Sequence, residues 1–84
     1  MGTIRVRGVR LRIYPKDHKP LHVHGYYGEA FVVVEVRTDG TVMLAARGAR
    51  VIPRNAKRSD VQKIVKAAAE AADEIVAEWE RMQA

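Results

Sequence analysis

Ala30-Phe31-Val32-Val33-Val34-Glu35-Val36-Arg37-Thr38, followed at once by Asp39-Gly40, is the stretch that decides the fold. Four valines and a phenylalanine stiffen the chain toward extended geometry. Successive side chains of a strand point to opposite faces, so Phe31 and Val33 share one face, and Val32, Val34 and Val36 share the other. A run that is apolar on both faces belongs in the middle of a sheet. Asp39-Gly40 is the strongest hairpin signal in the chain. It sends the chain back as a further strand over Thr41 to Ala46.

Working toward the N-terminus, Gly28 marks a turn before Leu21 to Tyr27. Leu21 and Val23 face one way in that strand, and His22 and His24 face the other. Pro15 and Pro20 bracket a loop, because each lacks a ladder donor. Thr3 to Arg7 alternates, with Ile4 and Val6 against Arg5 and Arg7. Val9, Leu11 and Ile13 alternate with Arg10, Arg12 and Tyr14. The apolar parity changes at Gly8, and a one-residue slip would turn apolar side chains to solvent. The sequence favours a bulge at Gly8 within one long strand. The alternative is a two-residue Arg7-Gly8 hairpin turn, and Arg is a poor occupant of a positive-φ position.

Working toward the C-terminus, Arg47 to Arg58 reads as a basic connector with a short strand at Arg50-Val51-Ile52. Ser59-Asp60-Val61-Gln62 fits a capping box, with Ser59 at the N-cap. Val61, Ile64, Val65, Ala68, Ala72, Ile75, Val76 and Trp79 then recur at the spacing of one buried helix face. The expected fold is α+β: an antiparallel sheet of four or five strands with one long C-terminal α-helix packed on one face. Residues 1–84 form a single domain, with strands within 3–52 and the helix over about 60–82. Such a helix runs about 34 Å. A seven-residue strand runs about 24 Å. The overhang suits contact with a second copy, so a homodimer through the C-terminal helix is expected.

The 84 residues contain no cysteine, and no apolar run approaches the roughly 20 residues of a membrane span. With no apolar leader at the N-terminus, the expected location is the cytoplasm and no membrane partner is expected. No cofactor motif is present. Residues 1–58 hold 12 Lys or Arg against 4 Asp or Glu, a net charge of +8. Residues 59–84 hold 3 against 6, a net of −3. The basic part would attract phosphates or an acidic partner.

All three histidines lie in Asp17-His18-Lys19-Pro20-Leu21-His22-Val23-His24. If Val9–Tyr14 pairs antiparallel with Leu21–Tyr27, their polar faces match only when paired numbers have an even sum. Tyr14 then lies opposite His22, and Arg12 opposite His24. The outward face carries Arg10, Arg12, Tyr14, His22 and His24, with Arg5 or Arg7 beside them. Lys16 and His18 overhang from the loop. Three chemistries fit this face. Arginines can hold phosphates while Tyr14, Tyr26 or Tyr27 stack on bases, which suits RNA or DNA. His22 and His24, with His18 as a third ligand and Asp17 or Glu29 as a fourth, could hold a metal, although the neighbouring arginines repel a cation. His22, His24 or His18 could serve as acid and base in metal-independent RNA cleavage, with Arg10 or Arg12 stabilising the charged transition state. The plain reading is a solvated sheet face with Asp17 and His18 tying down the loop. The same surface also suits a protein-interaction module that makes no nucleic-acid contact.

Gly8-Val9-Arg10-Leu11-Arg12-Ile13-Tyr14 and the histidine stretch together resemble a small bacterial family, the domain of unknown function numbered four-one-six-zero. The resemblance rests on a Gly followed by an alternating strand ending in Tyr, then Asp-His-x-Pro-x-His-x-His, an apolar strand and a C-terminal helix with a Trp. Trp79 stands at that last position. The segment Ile64 to Ala68 is smaller than the family pattern, and the Arg47 to Arg58 connector is longer. No established activity comes with the resemblance. It implies a gene neighbourhood of toxin–antitoxin type, and hence a small partner protein encoded by an adjacent gene. The expected function is therefore a nucleic-acid-binding accessory of that type, acting through Arg10, Arg12, Tyr14, Lys16, His22 and His24.

Overall fold

The computed structural model describes residues 2–14, 21–44, 51–52 and 55–83. Among these residues, six strands and two helices follow in order: β1 (Gly2–Val6), β2 (Val9–Ile13), β3 (Leu21–Tyr27), β4 (Ala30–Val36), β5 (Val42–Leu44), β6 (Val51–Ile52), α1 (Arg58–Glu70) and α2 (Ala72–Gln83). The first five strands pair in sequence order, every pair antiparallel. β6 joins β4 on the edge that β5 also uses. β4 is thus central, as its two apolar faces require.

The parity change at Gly8 is resolved by a hairpin and not by a bulge. Val6 pairs with Val9, so Arg7 and Gly8 alone form the turn. Both take positive φ, 49° at Arg7 and 82° at Gly8. A left-handed Arg costs about 1–2 kcal/mol. The turn places Ile4 and Val6 on the same sheet face as Val9, Leu11 and Ile13. The last three are essentially inaccessible to solvent. Burying one such side chain contributes about 1.5–3 kcal/mol, so core burial outweighs the strained turn.

The Asp39-Gly40 hairpin closes with a three-residue loop. Gly40 N–H donates to the Arg37 carbonyl at 2.9 Å, and Arg37 N–H donates to the Thr41 carbonyl at 2.9 Å. Gly40 takes the left-handed position at φ 91°. The Asp39 carboxylate accepts from Thr41 N–H at 3.0 Å and from Thr41 Oγ1 at 2.7 Å. These two bonds hold its pKa below the ordinary value, and the nearby Arg37 guanidinium lowers it further.

The C-terminal helix differs from the expected single rod. It bends at Ala71, where φ is −99° and ψ is 10°. Hydrogen bonds run across the bend, from Ala71 N–H to the Ala67 carbonyl and from Ile75 N–H to the Ala71 carbonyl. Twisted strands rotate the surface beneath a helix as it crosses them. The bend keeps both halves against that surface: α1 lies over β3 and β4, and α2 reaches β1, β2 and β4. Ala67, Ala68, Ala71 and Ala72 are all buried at the crossing. The capping box is displaced too. The helix begins at Arg58 with Lys57 as N-cap and no side-chain cap, so Ser59 lies inside the first turn. The Lys57 carbonyl accepts from the N–H groups of both Asp60 and Val61, which starts the helix earlier.

One core fills the space between sheet and helices. Leu11, Ile13, Val23, Val32 and Val34 meet Ile64 and Ile75, all with no measurable exposure. Trp79 joins the same cluster, as the helix stripe predicts. Gly25 is required where α1 comes closest: a Cβ there would lie 2.3 Å from the Ile64 Cγ2 atom.

Candidate nucleic-acid interface

The side chains opposite the core build one sheet face without a covering helix. The β2–β3 register pairs Arg12 with His24 and Arg10 with Tyr26. The first pairing is the one that the even-sum argument gives. The β3–β4 register continues the rows: Tyr26 to Phe31, His24 to Val33, and His22 to Glu35. On the other side, Arg5 pairs with Arg10 and Thr3 with Arg12. Met43 pairs with Glu35 and completes the third row.

The rings on this face touch in series. Tyr14 meets His24 edge-on, with centroids 4.7 Å apart at 76°. His24 lies 5.6 Å from Phe31, and Phe31 lies 5.0 Å from Tyr26, both at tilts near 30°. Two guanidinium groups lie over the phenols: Arg10 at 4.7 Å from the Tyr26 ring, and Arg12 at 5.8 Å from the Tyr14 ring. Cation–ring attraction at partly exposed sites is worth about 0.5–1 kcal/mol each. The result is a strip of four rings held half-buried, with cations along the β2 side. Burial raises the Tyr26 phenol above its ordinary pKa, and the Tyr14 phenol adds to the rise through charge repulsion and a hydrogen bond. Arg12 and Arg10 oppose it weakly. Tyr26 therefore stays a neutral donor and acceptor at neutral pH.

Arg10, Arg12, Tyr14, His22 and His24 thus share one face, as the strand parity requires. Lys16 and His18 lie outside the described residues, and so does Asp17. Arg5, not Arg7, belongs to the face, because Arg7 sits in the hairpin turn. Tyr27 does not belong to it. It pairs with buried Ala30 on the helix side, and its hydroxyl accepts from Lys63 Nζ at 3.1 Å. Sequence reasoning missed Phe31 and Val33 as members. Their signal was present: odd positions of β4 must oppose even positions of β3 once Gly28-Glu29 is read as a two-residue turn.

The metal reading gains no geometry. Among the described residues, no group of three His, Cys, Asp or Glu side chains is placed to hold an ion. Glu29 is exposed in the turn after Tyr27. His22 lies five strand residues before that turn, about 17 Å away. One acid shares the face among the described residues, Glu35, and Arg37 pairs with it at 3.0 Å.

This geometry defines a small α+β domain with one sheet face sealed by helices and the other, aromatic and basic, without a helix over it among the described residues. The family model of DUF4160, a domain of unknown function, matches residues 8–80, and the chain belongs to that family. The match runs from the turn glycine before β2 into α2, leaving β1 outside it. No curated protein and no solved structure matches the chain. No helix among the described residues is long and apolar enough to cross a membrane.

Proposed function

We propose that the open sheet face binds single-stranded nucleic acid, RNA above all, and that the protein is an accessory of toxin–antitoxin type. One observation carries the binding: the strip Tyr14–His24–Phe31–Tyr26, with Arg10 and Arg12 on its border. Aromatic rings on an open sheet stack on unpaired bases, at about 1–3 kcal/mol per base. Arginines beside them supply phosphate contacts. The paired-gene role is supported by the family resemblance alone. His22 and His24 contribute as base and phosphate contacts in this reading.

The test is fluorescence anisotropy with a labelled single-stranded RNA of mixed sequence, read across a salt series. Binding that weakens with salt is expected. Arg10→Ala/Arg12→Ala should lower affinity about tenfold and flatten the salt slope by about 1.4, since each lost phosphate contact on a single strand removes about 0.7. Circular dichroism checks that the variant stays folded. No binding by the intact protein at low salt would sink the proposal. A second reading would then stand, a protein-docking face. It is favoured by Met43, which pairs with Glu35 on this face and is 47% exposed.

A further inference from the structure

A second basic site lies where the β1–β2 hairpin meets α1. A cleft of about 240 Å³ is lined by Arg7, Val9, Tyr27, Lys63, Lys66, Ala67 and Glu70. Three cations face one carboxylate there. Arg7 Nε donates to Glu70 Oε2 at 3.2 Å, although the Arg7 side chain is otherwise largely exposed. Lys63 Nζ sits 4.8 Å over the Tyr27 ring while donating to its hydroxyl. That bond and the Tyr27 charge hold the ammonium above its ordinary pKa, helped by Asp60. Lys63 is therefore fully charged at neutral pH.

Two features separate this cleft from an ordinary charged surface. Arg7 occupies a left-handed position, φ 49°, where Asn, Asp or Gly would form the same turn at lower cost. Strain held at a charged residue points to a use for that residue. The cleft also continues the open face. Arg10 of the ring strip and Arg7 of the cleft are three residues apart on one hairpin, within about 11 Å of chain. Arg5, directly opposite Arg10, precedes Arg7 by two residues.

We infer that Arg7, Lys63 and Lys66 form a phosphate subsite that continues the nucleic-acid path off the sheet face and around the hairpin tip onto α1. This rests on the binding role proposed for the open face. A short strand fills the ring strip alone. A longer one places its backbone against Lys63 and Lys66, with Glu70 holding Arg7 in position. Glu70 is the carboxylate of the cleft itself, and Asp60 approaches Lys63 along α1. The subsite thus keeps a net positive charge and excludes a cationic ligand.

The experiment compares oligouridylates of about 4 and about 12 nucleotides, lengths within the range that small single-strand-binding folds cover. The intact protein should bind the longer probe more tightly, with a steeper salt slope. Lys63→Ala/Lys66→Ala should weaken the longer probe about tenfold, flatten its slope by about 1.4, and leave the shorter probe unchanged. Lys63→Arg/Lys66→Arg should retain the longer-probe affinity. Arg81→Ala, which removes a cation paired with Glu78 on α2, should leave both probes unchanged. Equal binding of both lengths, with the Lys variant unaffected, overturns the subsite and leaves the sheet-face reading standing. Equal losses in the Arg81 and Lys variants overturn it as a general charge effect. Failure of the intact protein to bind either probe at low salt overturns both.

Discussion

The two faces of the sheet are built from the same strands, yet they obey different rules. On the helix side, Leu11, Ile13, Val23, Val32 and Val34 are sealed from solvent. Each is fixed by the volume of its neighbours, because protein interiors pack like crystals. On the other side, Arg10, Arg12, Tyr14, His24, Tyr26 and Phe31 are half-buried or exposed, held by ring contacts and cations, with no helix stacked above them among the described residues. One face stores stability. The other holds rings half-buried, which the binding role proposed above requires.

The sharpest way to break that contrast is to delete one side chain from each face. Leu11→Ala should cost about 2–5 kcal/mol, as buried Leu to Ala changes do. Phe31→Ala removes a larger side chain but should cost only about 1–2 kcal/mol, because part of it already faces water. RNA affinity should respond in the reverse order, with Phe31→Ala losing about tenfold while folded Leu11→Ala keeps its affinity. Chemical denaturation and anisotropy on the same samples read both. Equal stability losses would mean that the open face is a second core.

A smaller effect probes the closest approach on the sealed face. Gly25→Ala adds a methyl group 2.3 Å from Ile64 Cγ2, and that contact has to open. Overpacking of this kind costs about 1–3 kcal/mol. Ile64→Leu in the same chain, which removes the Cγ2 branch and keeps the side-chain volume, should recover part of the loss in urea unfolding. The double variant matching Gly25→Ala alone would show that the helix shifts as a whole.

The smallest effect lies at the loop beyond both faces. Asp39 is stabilised as the carboxylate by Thr41, so its folded pKa lies below its unfolded one. The stabilisation is therefore present above the ordinary carboxylate pKa and is lost as pH falls through the depressed value. NMR titration should find Asp39 below the ordinary value, and Thr41→Val should bring it back up. An unchanged Asp39 titration in that variant would assign the shift to the Thr41 backbone N–H and Arg37 instead.

Much of this was legible because strands and helices carry their burial pattern in their period. The alternation of Leu21 to Tyr27 placed His22 and His24 together, and the even-sum rule placed Arg12 opposite His24. The helix stripe through Ile64, Ala68, Ala72, Ile75 and Trp79 was equally plain. The hairpin at Arg7-Gly8 was misjudged because local preference at Arg7 was weighed without the core it serves. The bend at Ala71 has no local marker, since alanine continues a helix well.

What the sequence determined, by itself, is which side chains share a face and which segment is helix. Period-two and period-3.6 patterns are properties of the backbone that any sequence must express in order. What only the tertiary structure decided is which rings touch, where the chain accepts strain, and what the helix leaves uncovered. Phe31 joined Tyr26 and His24 because β3 and β4 pair in one register, and Tyr27 left them because its parity turns it under α1 toward Lys63. Those outcomes depend on contacts between residues far apart in the chain, and no local preference encodes them.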